Sequence, residues 1–65
     1  MLYYRNNKTG DVYRVEGIVT NATNSAMSMR MVLYKNEYNG AQFVREYFEF
    51  KEKFTRLPTS LGEDI

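Results

Sequence analysis

The chain has 65 residues, no cysteine and no histidine, and its nine basic residues face eight acidic ones. That excludes a disulfide framework and a thiolate or imidazole metal site, and it leaves no general base other than carboxylates. The near balance of charge supplies no whole-chain field for nucleic acid or membrane, so any such partner must be met by a local patch.

A domain this small buries only about 60% of the surface its unfolded chain exposes, so its core has to be economical. Six tyrosines and four phenylalanines stand in for the missing staples. Each buried ring removes roughly 150 to 250 Å² from water. Met1-Leu-Tyr-Tyr-Arg-Asn6 has no apolar h-region, and no stretch approaches the ~20 apolar residues of a membrane span. A single domain over residues 1–58, cytoplasmic and without a membrane segment, is the expectation, with residues 59–65 a flexible, polar and acidic tail.

In chain order, Leu2 to Asn6 reads as a short strand, and Asn7-Lys-Thr-Gly10 as a turn in which Gly10 takes positive φ. Asp11 to Thr20 alternates, with Tyr13, Val15, Gly17 and Val19 on one face, predicted to point to the core, and Arg14, Glu16 and Thr20 on the other with Val12 and Ile18. Gly17, in mid-strand, predicts a bulge or sharp bend. Asn21 to Ser28 is polar and without apolar period, and predicts a loop.

Met29 to Lys35 is the third predicted strand. It is apolar on both faces, which predicts cover on both sides. Asn36 to Gly40 closes a hairpin in which Asn39-Gly40 is the turn dipeptide, and Ala41 to Arg45 is the fourth strand. The spacing of Tyr47, Phe50 and Phe54 predicts a helical turn over Glu46 to Phe50 before a last strand, Lys53 to Leu57. The predicted core is Tyr13, Val15, Val32, Tyr34, Val44, Phe50 and Phe54. The fold class is therefore all-β: a small curled antiparallel sheet of about five strands, like a partly open SH3-type barrel, with one short helical turn.

The order Tyr4-Arg5, Lys8 to Gly10, Tyr13-x-Val15-x-Gly17, Val32-Leu-Tyr34, Phe43-Val-Arg45 and Phe50-Lys-Glu-Lys-Phe54 resembles a small family of bacterial and phage proteins catalogued as domain of unknown function 1653. The resemblance spans about residues 3 to 56 and implies a compact, curled β-sheet domain of phage or prophage origin with no established reaction. The chain departs from the family pattern at Asn6, where members commonly have histidine, and at Glu46, where they commonly have proline.

No constellation for catalysis emerges. Glu46, Glu49 and Glu52 recur every three residues, but Lys51 and Lys53 interleave with them and a solvated charged face is the expectation. Ser25 and Ser28 have no base or oxyanion partner. No metal and no cofactor is expected, and the function reads as non-enzymatic. The first expectation is a protein-binding accessory module acting on a host protein, with Tyr3, Met27, Met29 and Tyr38 as contact residues; Met27, Met29 and Met31 would share one strand face, and either they fill the core or Met27 and Met29 reach an exposed contact surface, where methionine adapts to irregular partners. The alternative is a single-stranded or duplex nucleic-acid binder that uses Arg5, Lys8, Arg14 and Arg30, with Arg14 and Arg30 as cross-strand neighbours. Arg45 is expected to satisfy turn carbonyls. The chain is read as a monomer or a homodimer, because a short sheet leaves edges uncovered.

Overall fold

The computed structural model describes residues 2–21 and 29–58. Five strands, β1 (Leu2–Asn6), β2 (Val12–Asn21), β3 (Met29–Asn36), β4 (Gln42–Glu46) and β5 (Phe54–Arg56), enclose one helix, α1 (Tyr47–Lys53), between the last two. They form one antiparallel sheet in the order β4-β3-β2-β1-β5, with β5 folding back beside β1. The sheet is curled but not closed, as expected of a partly open SH3-type arrangement. Helix and last strand are shifted from their predicted bounds, since the helix runs on to Lys53 and β5 keeps only three residues. The expected loop from Asn21 to Ser28, apart from Asn21 itself, and the expected tail lie outside the described residues.

Two hairpins are closed by the same turn. In the first, Asn6 Oδ1 accepts the backbone N–H groups of Lys8 (2.9 Å) and Thr9 (3.0 Å), and Gly10 N donates to Asn6 O (2.8 Å). In the second, Asn36 Oδ1 accepts those of Tyr38 (2.7 Å) and Asn39 (3.0 Å), and Gly40 N donates to Asn36 O (2.9 Å). Gly10 and Gly40 carry φ of +80° and +75°, the left-handed region where a Cβ is strained. Asn39 does not share it, so the turn is organised by Asn36 four residues earlier and not by a two-residue Asn-Gly loop.

The register runs Leu2, Val15, Tyr34, Phe43 across four strands on one face of the sheet, and Tyr3, Arg14, Lys35, Gln42 on the other. On the first face the helix closes a core of Tyr4, Val32, Tyr34, Phe50 and Phe54, with Leu2, Tyr13, Val15 and Tyr47 packed around it. Phe50 stacks on Phe54 (centroids 4.2 Å apart, planes 11° apart), and Tyr4 meets Phe50 edge-on at 5.0 Å. Tyr13 and Tyr34 approach Phe54 at 5.4 and 5.3 Å. Such offset and edge-on contacts each add about 0.5 to 1.5 kcal/mol beyond area burial. A helix of seven residues is marginal alone, so α1 persists because Phe50 is buried beneath it. Its N-cap is Glu46, which accepts from Glu49 N, and its last carbonyls are met by Asn7, whose N–H donates to Lys53 O at 3.0 Å.

Several expectations change. Val44 is not core: it is 56% exposed and lies on the face away from the helix, paired with Leu33. Tyr4, absent from the predicted core, is buried in its place. The bend predicted at Gly17 is a β-bulge between Val15 and Gly17, in which Glu16 is the extra residue. Because side chains alternate with period two, that insertion swaps faces downstream, so Ile18 pairs with Val32 on the helix side while Gly17 and Val19 leave it. Among the described residues, strand β3 is covered on one face only.

Candidate functional site

Strand lengths place the most accessible apolar residues. Among the described residues β1 pairs with β2 only as far as Leu2 and Val15, and β4 pairs with β3 only as far as Glu46 and Met31. Beyond those points β2 and β3 continue together as a two-stranded arm, Gly17–Asn21 against Met29–Leu33. It carries Ile18 (42% exposed) on the helix side and Val19 (41%) and Met29 (37%) on the other. From the arm an apolar strip continues along the uncovered sheet face through Met31 and Leu33 to Val44, and among the described residues nothing packs on it.

A polar border runs beside the strip. Gln42 Nε2 donates to Glu16 Oε1 at 2.8 Å, and Arg14 lies 3.8 Å from Glu16 and 3.7 Å from Glu37. Glu16, two residues after Arg14, keeps to the same face by ordinary alternation.

Of the four expected protein contacts, Tyr3 and Met29 share the uncovered face, although they stand at different ends of it: Tyr3 is level with Lys35, and Met29 is on the arm. Tyr38 is exposed at the tip of the β3–β4 turn, at the end opposite the arm, and Met27 lies outside the described residues. The expected pairing of Met29 with Met31 on one face is present. What sequence reading missed is Ile18 and Val19, which it distributed by uninterrupted alternation; the mid-strand Gly17 was the signal that the alternation breaks.

The four expected cationic contacts do not converge. Arg14 pairs with Lys35 and Arg30 with Thr20, so the two arginines are not neighbours and point from opposite faces of the sheet. The Arg30 guanidinium sits 4.1 Å from the centroid of the Tyr47 ring, a cation–π contact on the helix side. Arg5 is on the uncovered face beside Val12, and Lys8 belongs to the β1–β2 turn.

Arg45 does not serve turn carbonyls. Its Nε donates to the Tyr34 hydroxyl (3.2 Å) and Nη1 to Glu49, and its guanidinium lies 5.9 Å from the Phe54 ring. The bond to Tyr34, helped by Glu49 and opposed by partial burial, raises its pKa above the ordinary arginine value. Any stability from that shift is complete below the unfolded pKa and is lost only as pH rises through the folded one, far into alkali. Arg45 is therefore a permanently charged strut between β4, the core and α1.

Arg45 also borders a recess of about 440 Å³ where the β1–β2 turn meets the end of α1, with Asn6, Asn7, Lys8, Glu52 and Lys53 around it. Its amides are committed to structure: Asn6 holds the turn, and Asn7 Nδ2 donates to Glu52 O at 3.4 Å. Among the described residues no three carboxylates gather closely enough to hold a metal ion, and no helix is long and apolar enough to cross a membrane. No protein-family model, no curated protein and no solved structure matches the chain.

Proposed function

We propose that this chain is a non-enzymatic protein-binding accessory module that acts in the cytoplasm on a host protein, and that it receives an apolar segment of its partner on the β2–β3 arm and the adjoining sheet face. The observation that carries the reading is the exposure of Ile18, Val19 and Met29 on a ribbon only two strands wide. A two-stranded ribbon is marginal in water by itself, and apolar side chains on both of its faces are stabilised when a partner covers them. An apolar strip bordered by a polar network such as Arg14, Glu16, Glu37 and Gln42 also has the centre-and-rim anatomy of protein interfaces. The phage or prophage origin rests on the family resemblance alone.

The test is capture from nuclease-treated bacterial lysate followed by rebinding of the purified partner at moderate salt. Val19→Glu and Met29→Glu, both checked for unchanged melting, are expected to abolish rebinding, because a desolvated apolar contact tolerates salt but not a buried charge. Partner binding that both variants leave intact would overturn the assignment of the surface. Submicromolar, steeply salt-dependent binding to single-stranded or duplex nucleic acid would overturn the assignment of the partner.

A further inference from the structure

The two edges of the sheet are treated differently by the sequence. The β5 edge is three residues long and is followed by Leu57, whose N–H is bound to Tyr3 O at 2.8 Å, and then by Pro58. The flank of β2 beyond Val15, which no other described strand pairs, begins at the bulge. Short length, proline and bulges are the ordinary ways of blunting an edge. The β4 edge, Gln42-Phe43-Val44-Arg45-Glu46, has none of them.

Its hydrogen-bonding parity is fixed. Asn36 N donates to Ala41 O at the turn (2.8 Å), and in an antiparallel ladder this makes Tyr34 with Phe43 and Val32 with Arg45 the bonded pairs. Gln42, Val44 and Glu46 therefore direct their N–H and C=O groups away from β3. The Glu46 carbonyl is the exception, since an N-cap residue already accepts the first helical bond.

We infer that β4 pairs with β4 of a second copy of this chain, antiparallel about a two-fold axis at Val44, so that two sheets become one. A two-fold at Val44 sets Val44 opposite Val44, Gln42 opposite Glu46 and Phe43 opposite Arg45, and every one of these is a favourable pair. The outward groups then meet: Val44 N–H donates to the partner's Val44 carbonyl and Glu46 N–H to the partner's Gln42 carbonyl, each twice by symmetry. On the uncovered face the Gln42 amide faces a carboxylate. On the helix face the Phe43 ring lies beside the partner's guanidinium. Phe48, 70% exposed just past Glu46, is at the end where the partner's β3–β4 turn arrives. Moving the axis by one residue keeps the outward groups opposite one another but shortens the overlap and sets Arg45 opposite Arg45 or Gln42 opposite Val44, so the register is selected by the overlap and by the side chains. A five-residue edge makes a small interface, and the dimer belongs to the weak, micromolar class.

Sedimentation equilibrium of the whole chain from micromolar to millimolar concentration is expected to show a monomer–dimer equilibrium. Mixed-isotope spectra at the upper end are expected to show an intermolecular contact between Val44 amides. Val44→Pro removes only an N–H that faces outward, so it is expected to keep the melting of the dilute monomer and lose the dimer. Gln42→Lys, which brings an ammonium opposite Glu46 on both sides of the axis, is expected to tighten dimerisation roughly threefold to tenfold. A monomer throughout the range, or a dimer indifferent to both substitutions, would overturn the inference. Val19→Glu lies away from β4 and is expected to leave dimerisation unchanged, so loss of partner binding and loss of the dimer are read separately.

Discussion

Replacing Phe54 by alanine tests whether the aromatic cluster is the source of stability. Phe54 is buried between the helix and the sheet, stacked on Phe50 at 4.2 Å and edge-on to Tyr13 and Tyr34 at 5.4 and 5.3 Å. Truncation removes three ring contacts at once and leaves a cavity that the surrounding strands, tied by their ladders, fill only in part. For a buried phenylalanine that costs about 3 to 5 kcal/mol. A chain of 65 residues is stable by only about 3 to 10 kcal/mol, taking about 0.05 to 0.15 kcal/mol per residue. The variant should therefore be largely unfolded or barely folded at room temperature. Phe54→Leu keeps most of the volume, costs about 1 kcal/mol, and lowers the midpoint by about 4 to 8 °C. Urea titration followed by far-ultraviolet circular dichroism, with calorimetry of both variants, measures the two steps. A cooperative Phe54→Ala protein melting within a few degrees of wild type would refute the placement of the core.

Asn36→Ala deletes the buried side-chain oxygen that accepts two backbone N–H groups of the turn and is expected to cost about 1 to 3 kcal/mol in denaturant titration, whereas Asn36→Asp keeps that acceptor and is expected to cost clearly less. Gly10→Ala, at φ +80°, is expected to destabilise by about 1 kcal/mol, while Gly17→Ala, which meets no atom within 4 Å and has no positive φ, is expected to change stability by less than about 0.5 kcal/mol. Equal effects at the two glycines would contradict the turn and bulge geometries together.

Strand positions were legible because this sheet has one covered face and punctuated turns: β1 runs from Leu2 to Asn6 as its residues predict, and the other strands end within a residue or two of prediction. What failed was parity. Alternation identifies two sets of residues on a strand but not which set faces the helix, and a bulge exchanges the sets midway; Val19 and Ile18 changed places for that reason. Val44 looked like core because it is β-branched and sits between Phe43 and Arg45, yet the side of β4 that is covered is set by where α1 folds back. Tyr4 escaped notice because its neighbours Tyr3 and Arg5 are surface-like, and its burial depends on β5 arriving beside β1 from the far end of the chain. The candidate surface was legible only in part, since Met29 announces itself by composition whereas the arm exists through unequal strand lengths.

The duplicated asparagine turn bears on how the molecule assembles. Each turn carries its own instructions within six residues, so the β1–β2 and β3–β4 hairpins close without help from the rest of the chain, on the ~1 to 10 μs scale of hairpin formation. Joining β1 to β5 is another matter, because Asn7 and Thr55, which bond across that junction, are 48 residues apart in sequence. Loop-closure entropy defers such contacts until the intervening strands are in place. The second hairpin thus shows the outer flank of β4 to solvent while the helix and the last strand are still finding their places, and during that interval association and folding draw on the same strand.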